Sequence, residues 1–146
     1  MKIIKSYFLF SILLSLLFTF SVSYTYTGEG TEYAGTLSSS DGATGYNCGI
    51  KYLTASQRKY YVALNTEDYQ DSLYCGRCVI AKCEDDKCKS TNSVKTVIVD
   101  SCPSCAKGDL DFSLEAWNEL TGISPNRVNI SWEFTTCNDL LDGETN

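Results

Sequence analysis

The chain has 146 residues, with 12 basic against 18 acidic, no histidine and a net charge of −6. Such a balance repels phosphate backbones and argues against nucleic acid as a partner. Its lysines and arginines are too scattered to form a basic patch, and without histidine any acid–base work falls to carboxylates.

At the N-terminus, Lys2 and Lys5 precede an apolar run from Tyr7 to Val22 and then small polar residues. This is the layout of a secretory signal peptide over residues 1–23, with cleavage after Ser23. No other stretch of sequence is long and apolar enough to span a membrane, so no membrane contact is expected after cleavage. The remaining length suits one domain, expected as a monomer. Residues 24–29 read as a short polar lead-in, and Glu32, Tyr33 and Ala34 as a short first strand between glycines. Leu37 to Gly49 is rich in Ser and Gly and reads as a loop. Lys59 to Leu64 (KYYVAL) is a strand by its aromatic and β-branched content, and Asn65 to Asp68 is a turn or helix start. Cys78 to Cys83 is a strand, and a charged hairpin-like tip runs on to Cys88. Val94 to Asp100 is the next strand. Ser113 to Leu120 is helical, with Leu114, Trp117 and Leu120 on one face and Gly122 as the stop. Arg127 to Thr135 alternates as a strand that buries Val128, Ile130, Trp132 and Phe134. Trp117 and Trp132 are therefore core candidates. Many short strands with a single helix suggest a small barrel or sandwich.

All eight cysteines lie beyond residue 23, and an even count in a small secreted chain reads as a disulfide framework. The two CxxC pairs leave zinc as a rival reading. Without histidine that site would need four thiolates in an oxidising compartment. Neither metal nor cofactor is assigned.

The densest stretch runs from Val94 to Trp117. An apolar strand ends in Asp100, a CxxC (Cys102, Cys105) follows, and a glycine-containing loop leads to Asp111 in LDFS just before the helix. Element ends are where a scaffold presents chemistry. On residues alone, the plainer readings come first: Asp111 as a carboxylate complementing a helix dipole, and Asp100 as a turn residue accepting backbone hydrogen bonds.

Taken in order, YNCG at Cys48, YVALN with Asp68-Tyr69, CGRC at Cys75 to Cys78, VIVDSCPSC, LDFS and NISWEF resemble the double-psi β-barrel domain of expansins and loosenins. RlpA-like and barwin-like barrels are related to it. The resemblance runs from Gly30 to Cys137, giving a barrel over residues 30–138 and a C-terminal tail over 139–146. It implies a mainly β, six-stranded double-psi β-barrel with one or two short helices, stapled by disulfides. The chain stops nine residues after Cys137, so the likeness is to single-domain loosenin-like members.

By matching motifs, the resemblance puts Asp111 at an essential aspartate of the groove, where lytic endoglucanases of this barrel keep their general acid. Asp100 falls on the aspartate that ends the central strand, with Cys102 where some members have tyrosine. Glu32 falls at a first-strand position that is often threonine. Gly35 stands where those endoglucanases carry their base, which is therefore missing; Glu32 is the one substitute. The implied disulfides are Cys48–Cys75, Cys78–Cys137, Cys83–Cys88 and Cys102–Cys105. Tyr33 and Tyr46 are sugar-stacking candidates, and Asn129 begins a glycosylation sequon.

The implied function is binding to cell-wall polysaccharide (cellulose, hemicellulose or a chitin-like glycan) and loosening of glycan contacts without hydrolysis. The alternatives are a glycan hydrolase or lytic transglycosylase on the same barrel, and a protease-inhibitor or defence-type binding module.

Overall fold

Six strands close into a barrel in the order β1-β5-β2-β4-β3-β6. They are β1 (Tyr26–Ala34), β2 (Tyr61–Asn65), β3 (Cys78–Cys83), β4 (Ser93–Cys102), β5 (Leu110–Ser113) and β6 (Val128–Thr135). Among the described residues, three short helices accompany them: α1 (Thr66–Tyr69), α2 (Leu114–Thr121) and α3 (Asn138–Leu141). The computed structural model describes residues 24–141. The signal peptide expected over residues 1–23 lies outside the described residues.

Two pairings are parallel, β1 with β5 and β2 with β4, and the other four are antiparallel. Alternation along each strand fills the interior. Val62, Leu64, Val79, Ala81, Ile98, Leu110, Phe112, Ile130 and Trp132 form one core with Trp117 and Leu120 of α2. A second apolar layer joins Tyr61, Cys78, Val97 and Val99 to Leu37 and Ala43 of the long loop before β2 and to Leu140. That loop is thereby a lid on the outside of the barrel rather than free chain.

Two sequence expectations need correction. Residues 24–29 are not a lead-in: β1 begins at Tyr26 and pairs with β6 from Tyr26↔Trp132 to Gly30↔Val128. The strand was hidden because its inward positions include Gly28 and Gly30. A Cβ on Gly30 would meet Trp117, Ile130 and Phe112 at 2.9–3.2 Å, so core packing itself demands glycine there. LDFS is the short strand β5 rather than the approach to a helix; Ser113 caps α2, its Oγ accepting from the Ala116 N–H. After the last strand α3 turns back and buries Leu140 against the second layer; residues 142–146 of the expected C-terminal tail lie outside the described residues.

The four disulfides are Cys48–Cys75, Cys78–Cys137, Cys83–Cys88 and Cys102–Cys105, the same pairs that the resemblance implies. Cys78–Cys137 spans 59 residues and stabilises by about 4 kcal/mol in the chain-entropy account.

Candidate functional site

The strand registers bring residues far apart in sequence into one row. Thr31 of β1 pairs with Asp111 of β5, Asp111 with Ala63 of β2, and Ala63 with Asp100 of β4. Asp111 lies between core residues Leu110 and Phe112, and Ala63 between Val62 and Leu64. The row therefore faces outward, since alternate strand residues point to opposite faces. A bulge in β4 between the partners of Val62 and Ala63 turns Asp100 onto the same face. Ala63, 2% exposed, is a small floor between two carboxylates. Their backbones stand two strand spacings apart, about 10 Å.

The two carboxylates are held differently. The Thr31 hydroxyl donates to Asp111 Oδ1 at 2.5 Å. Burial pushes the Asp111 carboxyl above the usual carboxylate range; the nearby charges of Glu32 and Asp100 add to this, and the Thr31 bond and Arg127 oppose it. Asp100 Oδ1 accepts from the Asn47 and Ser101 backbone N–H groups, each at 2.9 Å. The Asn47 amide also donates to Ser101 Oγ at 2.6 Å, so Asp100 ties the outer loop to the end of β4. Asp100 makes no hydrogen bond to Asp111 among the described residues; its influence there is through charge.

Beside the row, Tyr33, Tyr46 and Tyr61 meet edge to face with ring centroids 5.9–6.0 Å apart. Burial drives the Tyr33 hydroxyl pKa far upward, aided by the charges of Asp100 and Asp111, so it stays protonated. Tyr33 and Tyr46 are half-buried, unlike Tyr52 of the same loop, which is 86% exposed. The Tyr61 hydroxyl donates to the Gly35 carbonyl at 2.5 Å.

The loop from Cys102 to Asp109 closes the row's end. Gly108, at φ +85°, crosses β1 so closely that a Cβ on it would overlap the Thr27 carbonyl, and one on Gly28 would overlap Gly108. Asp109, 7% exposed, accepts from the Glu29 N–H at 2.7 Å and the Ala106 N–H at 2.9 Å. Asp68, equally buried, accepts from the Gly108 N–H at 3.0 Å.

Comparison with solved structures places this topology. The crystal structure of apo Clavibacter michiganensis expansin matches with a TM-score of 0.63 and 24% identity, over 77% of this chain and 50% of that one. An aspartate-to-asparagine variant of the Clavibacter michiganensis expansin in complex with cellohexaose matches equally, at 23% identity over 77% and 50% of the two chains, with a TM-score of 0.63. The fold is an expansin-like double-psi β-barrel. The chain spans half the length of those expansin chains. A Streptomyces papain inhibitor also matches, with a TM-score of 0.55 and 22% identity over 79% of this chain and 97% of that one. No family model matches the sequence, and no curated protein does. At these identities the likeness is one of fold.

Glu32, read from sequence as the first-strand residue of the groove, is not the one that meets Asp111. Thr31, not Glu32, touches Asp111. Glu32 is exposed where the β1–β5 ladder slips between Glu32 and Ala34; it acts on Asp111 through charge alone. Asp111 is not a helix-capping carboxylate, since Ser113 fills that role. Thr31, Asn47, Ser101 and Tyr61 were not singled out from sequence. Asn47, Tyr61 and Ser101 lie inside the motifs YNCG, YVALN and VIVDSCPSC, while Thr31 carried only the alternation of Thr31 and Tyr33 around Glu32.

Proposed function

We propose that this is a secreted expansin-like protein that binds cell-wall polysaccharide on the outer face of β1, β5, β2 and β4 and loosens glycan contacts without hydrolysis. The observation that carries the reading is the row Thr31–Asp111–Ala63–Asp100, two outward carboxylates over an alanine floor. The expansin-like barrel seen with cellohexaose supports a glycan as its ligand. Asp111, with its raised pKa, donates from its protonated carboxyl to a glycan hydroxyl or glycosidic oxygen. Asp100 accepts a hydroxyl on the oxygen left free by its backbone clamp, and Tyr33 and Tyr46 flank the chain of sugars. Four disulfides and the signal-like N-terminus support secretion. Asn129, exposed on β6 within its sequon, is the glycosylation site of this reading.

Hydrolysis by inversion needs an acid and an opposed base about 6.5–9.5 Å apart. Gly35 offers no side chain, Glu32 lies exposed at the slip of the β1–β5 ladder rather than in the outward row, and one oxygen of Asp100 is committed to two backbone N–H groups. The test is a pull-down of the mature protein on insoluble cellulose, xyloglucan and chitin, paired with reducing-end release and filter-paper weakening. Binding and weakening without new reducing ends is the expected result. Steady release of reducing ends, lost in Glu32→Gln or Asp100→Asn, would make the protein a glycosidase.

The match to nearly the whole papain inhibitor favours one second reading, a protease-binding module. Stoichiometric papain inhibition that persists in Asp111→Asn, with no glycan binding, would select it.

A further inference from the structure

The Cys102–Cys105 bridge lies against Asp111: the two sulfurs and a carboxylate oxygen fall within 4.8 Å of one another. Cys102 pairs with Asn65 at the end of the β2–β4 ladder, two residues beyond Asp100, and the CxxC turn folds over β2 toward β5. The Cys105 N–H donates to the Cys102 carbonyl at 3.2 Å, closing that turn. CxxC is the spacing with which one turn offers two thiolates to one metal ion.

The loop has anchors besides its bridge. Asp109 holds Ala106 and Glu29, Asp68 holds Gly108, and the Trp132 indole N–H donates to the Gly108 carbonyl at 2.7 Å. Opening the bridge therefore leaves both sulfurs beside Asp111. That carboxylate is itself oriented, with Oδ1 on the Thr31 hydroxyl and Oδ2 without a hydrogen bond among the described residues.

We propose that reduction of Cys102–Cys105 creates a site for a thiophilic divalent cation of the Zn²⁺ or Cd²⁺ class, ligated by the two thiolates and the Asp111 carboxylate. The fourth tetrahedral position is open to water. The reductant is a small external thiol. Two equivalents of RSH give two electrons to the disulfide, yielding two protein thiols and RSSR. The cation then displaces both thiol protons to solvent as two metal–sulfur bonds form. With metal–sulfur bonds of about 2.3 Å, the sulfurs part to about 3.8 Å, a small adjustment within the turn. Soft thiolates select this class over Mg²⁺ and Ca²⁺. The site stands apart from the glycan reading, because its readout is metal binding.

The mature protein is treated with a graded small thiol, and the open cysteines are identified by alkylation and peptide mapping. After anaerobic removal of the thiol, Cd²⁺ is titrated in and the cadmium–thiolate charge-transfer band is recorded. The work uses the wild type and a Cys83→Ser, Cys88→Ser background, so that the signal reports one pair. One equivalent of Cd²⁺ per opened pair is expected, displaced by Zn²⁺, with no band in the fully bridged protein. Alkylating the opened pair, or Cys102→Ser with Cys105→Ser, removes the band. Asp111→Asn weakens binding by at least as much as losing an outer-sphere partner, roughly 10–100-fold. Circular dichroism confirms that each form is folded. Any of four results overturns the proposal: no Cd²⁺ binding by the opened protein, binding that survives alkylation of the pair, an affinity indifferent to Asp111→Asn, or a bridge that opens only as the barrel unfolds.

Discussion

Asp109 and Asp111 stand two residues apart at the start of β5, yet the regions around them differ in kind. Asp109 is sealed in the crossing of β1 with the Cys102–Asp109 loop, where two backbone N–H groups from different segments converge on it. Asp111 faces outward in the row and has one side-chain hydroxyl for company. Backbone donors cannot turn away, so a carboxylate that satisfies them is committed to holding the fold. A single hydroxyl leaves an oxygen to spare for a ligand, and burial without full satisfaction raises the pKa. The donors around a carboxylate thus separate an aspartate spent on the fold from one with an oxygen free for a ligand. Asp100 lies between the two cases, with one oxygen clamped and one free.

The sharpest break of this comparison is to remove each carboxylate in turn. Asp109→Ala strands the Glu29 and Ala106 N–H groups in a buried crossing. It is expected to lower stability by roughly 2–4 kcal/mol, read as a fall in the urea midpoint. Equal stability losses in Asp109→Ala and Asp111→Ala would erase the distinction.

Asp111→Asn is expected to give the reverse pattern. The amide oxygen still accepts from Thr31, so the urea midpoint changes little. Weakening of filter paper or isolated walls falls by roughly 10–100-fold, the loss of one strong hydrogen bond to the ligand. Full activity in the folded variant would remove Asp111 from the site.

Asp100→Asn should fall between these two. An amide oxygen can still accept from Asn47 and Ser101, while the contact to sugar becomes weaker rather than lost. Activity is expected to fall roughly three- to tenfold, with stability lowered by no more than about 1 kcal/mol. A loss as large as that of Asp111→Asn would mean that the two carboxylates act as a unit.

How much of this was legible in the sequence depends on range. β3, β4, α2 and β6 have apolar periods long enough to read, and Trp117 and Trp132 sit on those faces. β1 was half missed because Gly28 and Gly30 supply no hydrophobic signal where the interior leaves room only for glycine. β5 was missed because four residues carry too little alternation to distinguish a strand from a helix approach. Asp100 and Asp111 drew notice through their motifs. Their row could not, since Thr31 and Asp111 are 80 residues apart and a one-residue slip moves every side chain to the other face. One residue separates Glu32 from Thr31, the residue that meets Asp111. The disulfide pairs came from family resemblance; eight cysteines alone allow roughly a hundred pairings.

The finest test moves the Asp111 pKa without touching its carboxylate. Burial raises that pKa and the Thr31 hydroxyl pulls it down, so Thr31→Val, which keeps the shape and removes the donor, should raise it further. The sign for stability follows from linkage. A carboxyl with a folded pKa above its unfolded value binds its proton more tightly when folded. Its contribution is therefore fully present below the unfolded value and is lost as pH rises through the folded one. The difference in urea midpoint between wild type and Asp111→Asn should decline across that window, from the ordinary carboxylate value up through the raised folded one. In Thr31→Val the decline should extend to higher pH. Activity that depends on the protonated carboxyl should follow the same displacement, so the variant keeps its weakening activity at a pH where the wild type has begun to lose it. A profile that stays in place, or moves toward acid, would show that the Thr31 bond does not set the protonation of Asp111. Burial and the surrounding charges would then set that protonation without the hydroxyl.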